Sequence, residues 1–175
     1  MKKLLLSLTI LLTLSCCKTD DDDNATLPEA TQTGAGIFAC KVNGQSFIDT
    51  SGSYFNCYYQ YISGEYYFGI SGSDTVESLI SVTIGTYNKE IFENETFLLI
   101  ENISGNAWAG SSFNPNSSSQ EFSTTNSQYS GELTITKLDF TNNIVSGTFW
   151  FDVENPYTGE TVEIREGRFD TLFTQ

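Results

Sequence analysis

The chain has 175 residues, of which 39% are apolar and 14% aromatic, enough for one domain with one hydrophobic core. It carries 22 acidic and 8 basic side chains and no histidine, which gives a formal net charge of −14. This acidity excludes a typical nucleic-acid partner, because phosphate binding requires a basic surface. Without histidine the sequence lacks the commonest general base and metal ligand, so we predict no enzyme activity, no metal and no cofactor.

Residues 1–15 have the pattern of an export signal. Lys2 and Lys3 precede an apolar stretch that is shorter than the roughly 20 residues needed to cross a membrane as a helix. The stretch ends at Ser15, Cys16 and Cys17. It resembles the signal peptides of bacterial lipoproteins, which are cut before a cysteine that becomes lipid-modified. This resemblance implies lipidation at Cys16, with Cys17 as the alternative, and attachment to a membrane through the lipid.

Residues 16–36 predict an acidic, flexible tether. Residues 20–23 are four consecutive aspartates, which repel one another and extend the chain. Residues 25–36 contain turn-forming residues and show no apolar periodicity. The acidic run also resembles the export signal that follows the lipidated cysteine in surface-exposed lipoproteins of the Bacteroidota. That resemblance implies a location at the outer membrane, facing the medium.

Residues 37–175 predict a single all-β domain. Short alternating runs rich in Val, Ile, Thr, Tyr and Phe are separated by Gly, Asn, Ser and Asp, without helical periodicity. The runs indicate about ten strands, at residues 38–42, 45–49, 54–62, 65–71, 79–84, 96–101, 132–139, 144–153, 161–165 and 168–173. Because parallel strands need helical crossovers, we predict an antiparallel β-sandwich, with a meandering β-barrel as the alternative.

Residues 103–130 interrupt this regular spacing of strands. They are rich in Ser, Gly, Asn and Thr, with isolated aromatic residues that include Trp108 and Phe122. A long structureless loop is uncommon in a compact domain. The stretch therefore predicts either a long surface loop or short edge strands around Trp108 and Phe122, and the sequence does not choose between the two.

The C-terminal half contains strand and turn patterns that resemble a known family. The segments 131–139, 145–151 and 159–169 are similar to small β-rich lipoproteins of the Bacteroidota that are classed as a domain of unknown function. The likeness covers about residues 36–173. It implies one all-β domain behind a lipid anchor, and it supplies no activity and no functional residues.

Two cysteines lie within the predicted domain. The turn residues Asn43 and Gly44 predict a two-residue hairpin that places Phe47 opposite Cys40, both facing the core. Cys57 takes an inward position on the next predicted strand. In an oxidising compartment, a disulfide between Cys40 and Cys57 would stabilise the fold by roughly 3 kcal/mol. The alternative is two buried free thiols that pack as small apolar residues.

Aromatic residues are concentrated between residues 54 and 68. Strand alternation turns Tyr54 and Tyr58 outward on one strand and Tyr67 outward on the next. Trp150 points outward between two inward phenylalanines. Tyrosine and tryptophan combine an apolar ring face with a polar edge, so these four residues form a candidate surface for stacking on sugar rings. The alternative is that both faces of the strands are covered and the tyrosines serve only the fold.

The sequence therefore predicts a lipid-anchored surface protein of the outer membrane that acts as a non-enzymatic binding or accessory module. A glycan or another surface protein is the expected partner. The first alternative is a structural or protein-interaction lipoprotein. The second is a hydrolase that uses paired carboxylates, which requires two acids within about 10 Å in a cleft, one of them shielded from water.

Overall fold

The computed structural model describes residues 26–51, 56–74, 80–114 and 118–175. These ranges contain eleven β-strands and no helix. The strands are β1 (Ile37–Val42), β2 (Gln45–Ile48), β3 (Asn56–Ile62), β4 (Glu65–Asp74), β5 (Ile80–Thr86), β6 (Thr96–Leu99), β7 (Ala107–Phe113), β8 (Glu121–Thr124), β9 (Gly131–Asp139), β10 (Ile144–Glu154) and β11 (Thr161–Leu172). Nothing in the described ranges forms an apolar helix of membrane-spanning length. The all-β prediction is confirmed.

All eleven strands belong to one sheet, in the order β2-β1-β11-β10-β9-β6-β7-β5-β4-β3, with β8 paired to β7. The pairings between these strands are antiparallel except where β6 meets β7 through Leu99 and Ala107, and an isolated parallel bridge joins Tyr58 of β3 to Thr174. The sheet does not close into a barrel and instead folds back on itself. Phe68 of β4 packs on Phe169 of β11, with ring centroids 6.1 Å apart. The result is the predicted sandwich-like arrangement, with the core between the two halves of the sheet.

Two features of the sheet differ from the predicted strands. The region 103–130 contains β7 and β8, so the strand alternative is correct there, although β7 around Trp108 is an interior strand that pairs with β5, β6 and β8, and only β8 around Phe122 lies at an edge. The two strands predicted at 161–165 and 168–173 form one continuous strand, β11. Glu166, which lies between these two predicted strands, has a φ of 52° and lies in a β-bulge where the pairing register shifts. The bulge absorbs extra residues without ending the strand.

Cys40 and Cys57 are buried as free thiols, so the disulfide that the sequence allowed between them is not formed. The hairpin prediction is confirmed, because Cys40 of β1 lies opposite Phe47 of β2. Cys57 lies on β3, which pairs with β4 and is separated from β1 in the sheet. Alternation indicated that both side chains face inward, but it carried no information on strand order. Burial raises the pKa of both thiols, which pack as small apolar groups.

Candidate functional site

The two outer faces of the sandwich differ in charge. Each of the five ion pairs found among the described residues includes a residue of β1, β9, β10 or β11. We call the outer surface of these strands the charged face. On the opposite side, the outward positions of β3, β4, β5, β7 and β8 include one charged residue, Glu65. A chain with this much acidic character thus keeps its second face nearly uncharged.

A groove of about 450 Å³ lies on the charged face. Strand alternation places its floor and one wall, because Thr148 and Trp150 point outward from β10. Thr148 lies opposite Thr134 of β9 and Arg168 of β11. Trp150 lies opposite Glu132 of β9. The N-terminal segment before β1 forms the other wall. The lining residues are Ala30, Glu132, Thr134, Thr148, Phe149, Trp150, Glu166, Gly167 and Arg168. We refer to this surface as the Trp150 groove.

Trp150 is held in a defined orientation at the edge of the groove. Its indole Nε1 donates a hydrogen bond to Glu132 Oε2 at 3.2 Å. The guanidinium carbon of Arg165 lies 5.5 Å from the indole centroid, a cation–π contact. Arg165 is in turn paired with Asp152 at 2.7 Å and with Glu163 at 3.2 Å. The indole remains 38% exposed, so a fixed aromatic ring is accessible to a ligand.

Glu166 forms ion pairs at the side of the groove. Its carboxylate accepts a 2.7 Å hydrogen bond from Lys41 Nζ and lies 3.8 Å from Arg168 Nη2. The hydrogen bond from Lys41 is the main cause that lowers the pKa of Glu166, and it outweighs the opposing effect of desolvation. A general acid in glycoside hydrolysis requires a raised pKa. Glu166 therefore has the opposite electrostatic environment to the one that the carboxylate-hydrolase hypothesis requires.

Arg168 joins the groove floor to the N-terminal segment. Its Nη1 donates to the carbonyl oxygen of Pro28 at 3.1 Å. Its Nε and Nη2 donate to the carbonyl oxygen of Glu166 at 3.1 and 3.0 Å. The guanidinium is therefore oriented by backbone acceptors, with its position set independently of any ligand.

Asp170 holds the N-terminal segment against the sheet beside the groove. Asp170 is 1% exposed and lies on β11. It accepts hydrogen bonds from the hydroxyls of Thr31 and Ser146 at 2.6 and 2.7 Å, and from the backbone N–H groups of Thr33, Gly34 and Ala35. We call residues 28–35 the strap. The sequence predicted a flexible tether up to residue 36, whereas these hydrogen bonds place the strap on the domain.

The surroundings of Asp170 determine its ionisation. Burial alone would raise the pKa of this carboxyl. The hydrogen bonds donated by Thr31, Thr33 and Ser146 outweigh that effect and hold the pKa of Asp170 well below its usual range. The strap is thus bound to a carboxylate that stays charged at any ordinary pH.

Aromatic side chains cross the opposite, nearly uncharged surface. We define the neutral face by its aromatic residues, which are Tyr58, Tyr67, Tyr87, Trp108 and Phe122. Trp108 and Phe122 pack edge to face with centroids 6.2 Å apart, and Tyr67 stacks on Tyr87 at 5.8 Å. The Tyr67 hydroxyl also forms a hydrogen bond with Glu65, which raises the pKa of Tyr67 to about 12.

Each of three rings on the neutral face lies over a glycine of a neighbouring strand. A Cβ built on Gly69 would be 2.6 Å from Tyr58 Cε1, and one on Gly110 would be 2.7 Å from Phe122 Cζ. A Cβ on Gly85 would be 3.2 Å from the Trp108 indole. Aromatic rings that cover strand glycines in this way protect the backbone and pack flat against the sheet.

The structure separates the four residues proposed from the sequence. Tyr58 and Tyr67 lie on the neutral face, whereas Trp150 lies on the charged face. Tyr54 lies outside the described residues. Sequence reasoning missed Trp108 and Phe122 as surface residues, because their strands were not assigned.

The described ranges contain no group of three His, Cys, Asp or Glu side chains placed to hold a metal ion. The groove side chains could instead bind an organic ligand through hydrogen bonds and ring contacts. Glu132 supplies a carboxylate acceptor, and Thr134 and Thr148 supply hydroxyls that both donate and accept. Trp150 supplies an apolar ring.

Comparison with protein families places the chain in one family. The family model of DUF6252, described as a domain of unknown function, matches residues 67–172, more than half of the chain. The match begins in β4, ends with β11 and includes every groove residue except Ala30. No curated protein and no solved structure matches the chain.

Proposed function

We propose a function from the geometry of this chain, because the chain belongs to DUF6252, a family of unknown function. In this proposal the protein is a lipoprotein of the outer membrane surface, anchored through Cys16, whose β-sandwich binds carbohydrate in the Trp150 groove without catalysis. The signal-like residues 1–15 and the acidic run at 20–23 support the anchor and the location.

The observation that carries the binding proposal is the position of Trp150 beside Glu132 in one concave surface. A sugar ring has an apolar C–H face and a rim of hydroxyl groups that donate and accept hydrogen bonds. The indole provides a flat apolar partner for the C–H face. Glu132 provides an acceptor for sugar hydroxyls, and hydrogen bonds to a charged acceptor are stronger than those between neutral groups.

Preorganisation of the groove supports the same proposal. The indole is already fixed by Glu132 and Arg165, and Arg168 is already oriented by backbone carbonyls. Ordering mobile side chains on binding would cost roughly 0.5–1.5 kcal/mol for each one. A groove whose side chains are held before the ligand arrives avoids much of that cost, which suits recognition of a hydrated sugar.

The low pKa of Glu166 supports binding without hydrolysis. Lys41 and Arg168 stabilise the ionised form of this carboxylate. Retained charge on Glu166 makes it a hydrogen-bond acceptor and a poor proton donor to a leaving group.

The test is glycan-array binding with the full-length protein in mild detergent, followed by calorimetry on the glycans that bind. We expect Trp150→Ala and Glu132→Gln each to weaken binding on the order of tenfold, about 1.4 kcal/mol. Phe92→Ala is the matched control, because Phe92 is an exposed aromatic residue that does not line the groove. Unchanged affinity in both groove variants would contradict the site, and an array with no bound glycan would favour the protein-interaction alternative.

A further inference from the structure

The neutral face carries a row of aromatic rings that runs across the strands. In the sheet register, Tyr58 lies opposite Gly69, Gly69 opposite Gly85, and Gly85 opposite Trp108. The Tyr58 ring lies over Gly69 of β4, and the Trp108 ring lies over Gly85 of β5. The two rings therefore lie above adjacent strands. Phe122 continues the row from the far side of Trp108. The three rings lie over β4, β5 and β7, so with neighbouring strands about 4.8 Å apart the row spans roughly 10 Å, long enough to contact more than one sugar ring.

Neutral polar groups accompany this row. The hydroxyls of Ser71 and Thr83 lie 2.8 Å apart on the next pair of outward positions. Gln60 adds an outward amide on β3 beside Tyr67 of β4. These groups donate and accept hydrogen bonds without carrying charge. Aromatic rings and neutral hydrogen-bonding groups on one flat face match a ligand with apolar ring faces and many hydroxyls.

The charge distribution selects among such ligands. The whole chain has a formal charge of −14, which repels an acidic polymer at long range. The neutral face has no cationic side chain at the outward positions of its strands that could offset this repulsion. An uncharged ligand meets no such repulsion. Unlike an acidic polymer, it also brings no carboxylate of its own that would be buried on this face without a cationic partner.

We infer that the neutral face is a second carbohydrate-binding surface, specific for an extended neutral polysaccharide. This inference rests on the proposed function of the Trp150 groove and extends it. The groove and the neutral face lie on opposite outer surfaces, with the hydrophobic core between them. An extended glycan segment that lies flat on one surface does not reach the other, so in this inference each protein molecule bridges two glycan segments. Bridging raises the avidity of an anchored protein for a polymer without any new contact.

The experiment measures binding stoichiometry and cross-linking with the full-length protein in mild detergent. The probes are neutral oligosaccharides for calorimetry, and the parent neutral polysaccharides for light scattering. Wild type should bind two oligosaccharides per chain and produce large scattering particles. Trp150→Ala should weaken one of the two events on the order of tenfold, and the pair Tyr58→Ala with Trp108→Ala should weaken the other. Both variants should produce far fewer large particles.

Removing rings that cover glycines also affects folding, so a variant that keeps every ring provides a second measurement. Gln60→Ala removes an outward hydrogen-bonding amide of the neutral face. It should weaken the second binding event about fivefold, roughly 1 kcal/mol, whereas Gln128→Ala, at an exposed position outside both surfaces, should leave both events unchanged.

The outcomes separate this inference from the proposed function. One binding event that is weakened only in Trp150→Ala overturns the second surface and leaves the groove proposal intact. One event that is weakened only in the neutral-face variants overturns both the groove and the bridging. No binding of any neutral oligosaccharide overturns both proposals.

Discussion

Thr31 Oγ1 donates a 2.6 Å hydrogen bond to Asp170 Oδ2, although the two residues are 139 positions apart in the chain. The contact fastens the strap across β11 and brings Ala30 to the rim of the Trp150 groove. The strap is thus part of the folded domain and part of the candidate site. Within the predicted tether at residues 16–36, residues 28–35 are therefore packed on the domain.

Replacing Asp170 should destabilise the protein strongly. Asp170→Ala leaves the Ser146 hydroxyl and the backbone N–H groups of Thr33, Gly34 and Ala35 without their acceptor. Buried donors without a partner cost roughly 1–3 kcal/mol each, and some will find water as the strap loosens. We expect a loss of about 2–4 kcal/mol in the free energy of unfolding, measured by urea denaturation. Glu160→Gln, at an exposed turn, is the control, and an equal stability of the two variants would contradict the role of Asp170.

The contribution of Asp170 should depend on pH in a definite direction. Its folded-state pKa is depressed, so the stabilisation is fully present above the ordinary aspartate pKa of about 3.9. It is lost progressively as the pH falls below that value towards the folded-state pKa. The stability difference between wild type and Asp170→Asn should therefore be constant from pH 7 to 5 and shrink from pH 4 to 2. Urea denaturation across this series checks it, and a difference that grows on acidification would reverse the assigned sign.

Two glycines should respond very differently to an added methyl group. A Cβ on Gly131 would lie 2.6 Å from Phe151 Cα and clash with the carbonyl oxygen of Trp150, both of which are backbone atoms. A Cβ on Gly69 would meet the end of the Tyr58 ring, which can rotate away. We expect Gly131→Ala to cost about 3 kcal/mol or more and Gly69→Ala about 1 kcal/mol. Thermal and urea unfolding give the comparison, and equal costs would contradict the packing described at β9 and β10.

The two domain cysteines should be unreactive in the native state. Cys40 and Cys57 are buried with raised thiol pKa values, and only an exposed thiolate reacts readily. A variant with Cys16→Ser and Cys17→Ser should show no free thiol by Ellman titration when folded. The same variant should show both thiols in concentrated guanidinium chloride without a reductant. Finding none after unfolding would mean that Cys40 and Cys57 form a disulfide.

The amino-acid sequence by itself determined the local features of this protein. Alternation with a period of two predicted most of the strands, the outward orientation of Trp150, and the pairing of Cys40 with Phe47 across the Asn43-Gly44 turn. These features depend on neighbouring residues and on which face of a strand is buried. A pattern within ten residues is therefore sufficient to predict them.

Only the tertiary structure decided which distant residues meet. The sheet order places β1 beside β11, so Asp170 finds its partners in a strap that has no periodicity of its own. The bulge at Glu166 keeps β11 continuous, and the fold of the sheet sends Tyr58 and Trp150 to opposite faces. Strand order, bulges and buried polar partners depend on contacts between segments far apart in the chain, and alternation within a strand contains no information about them.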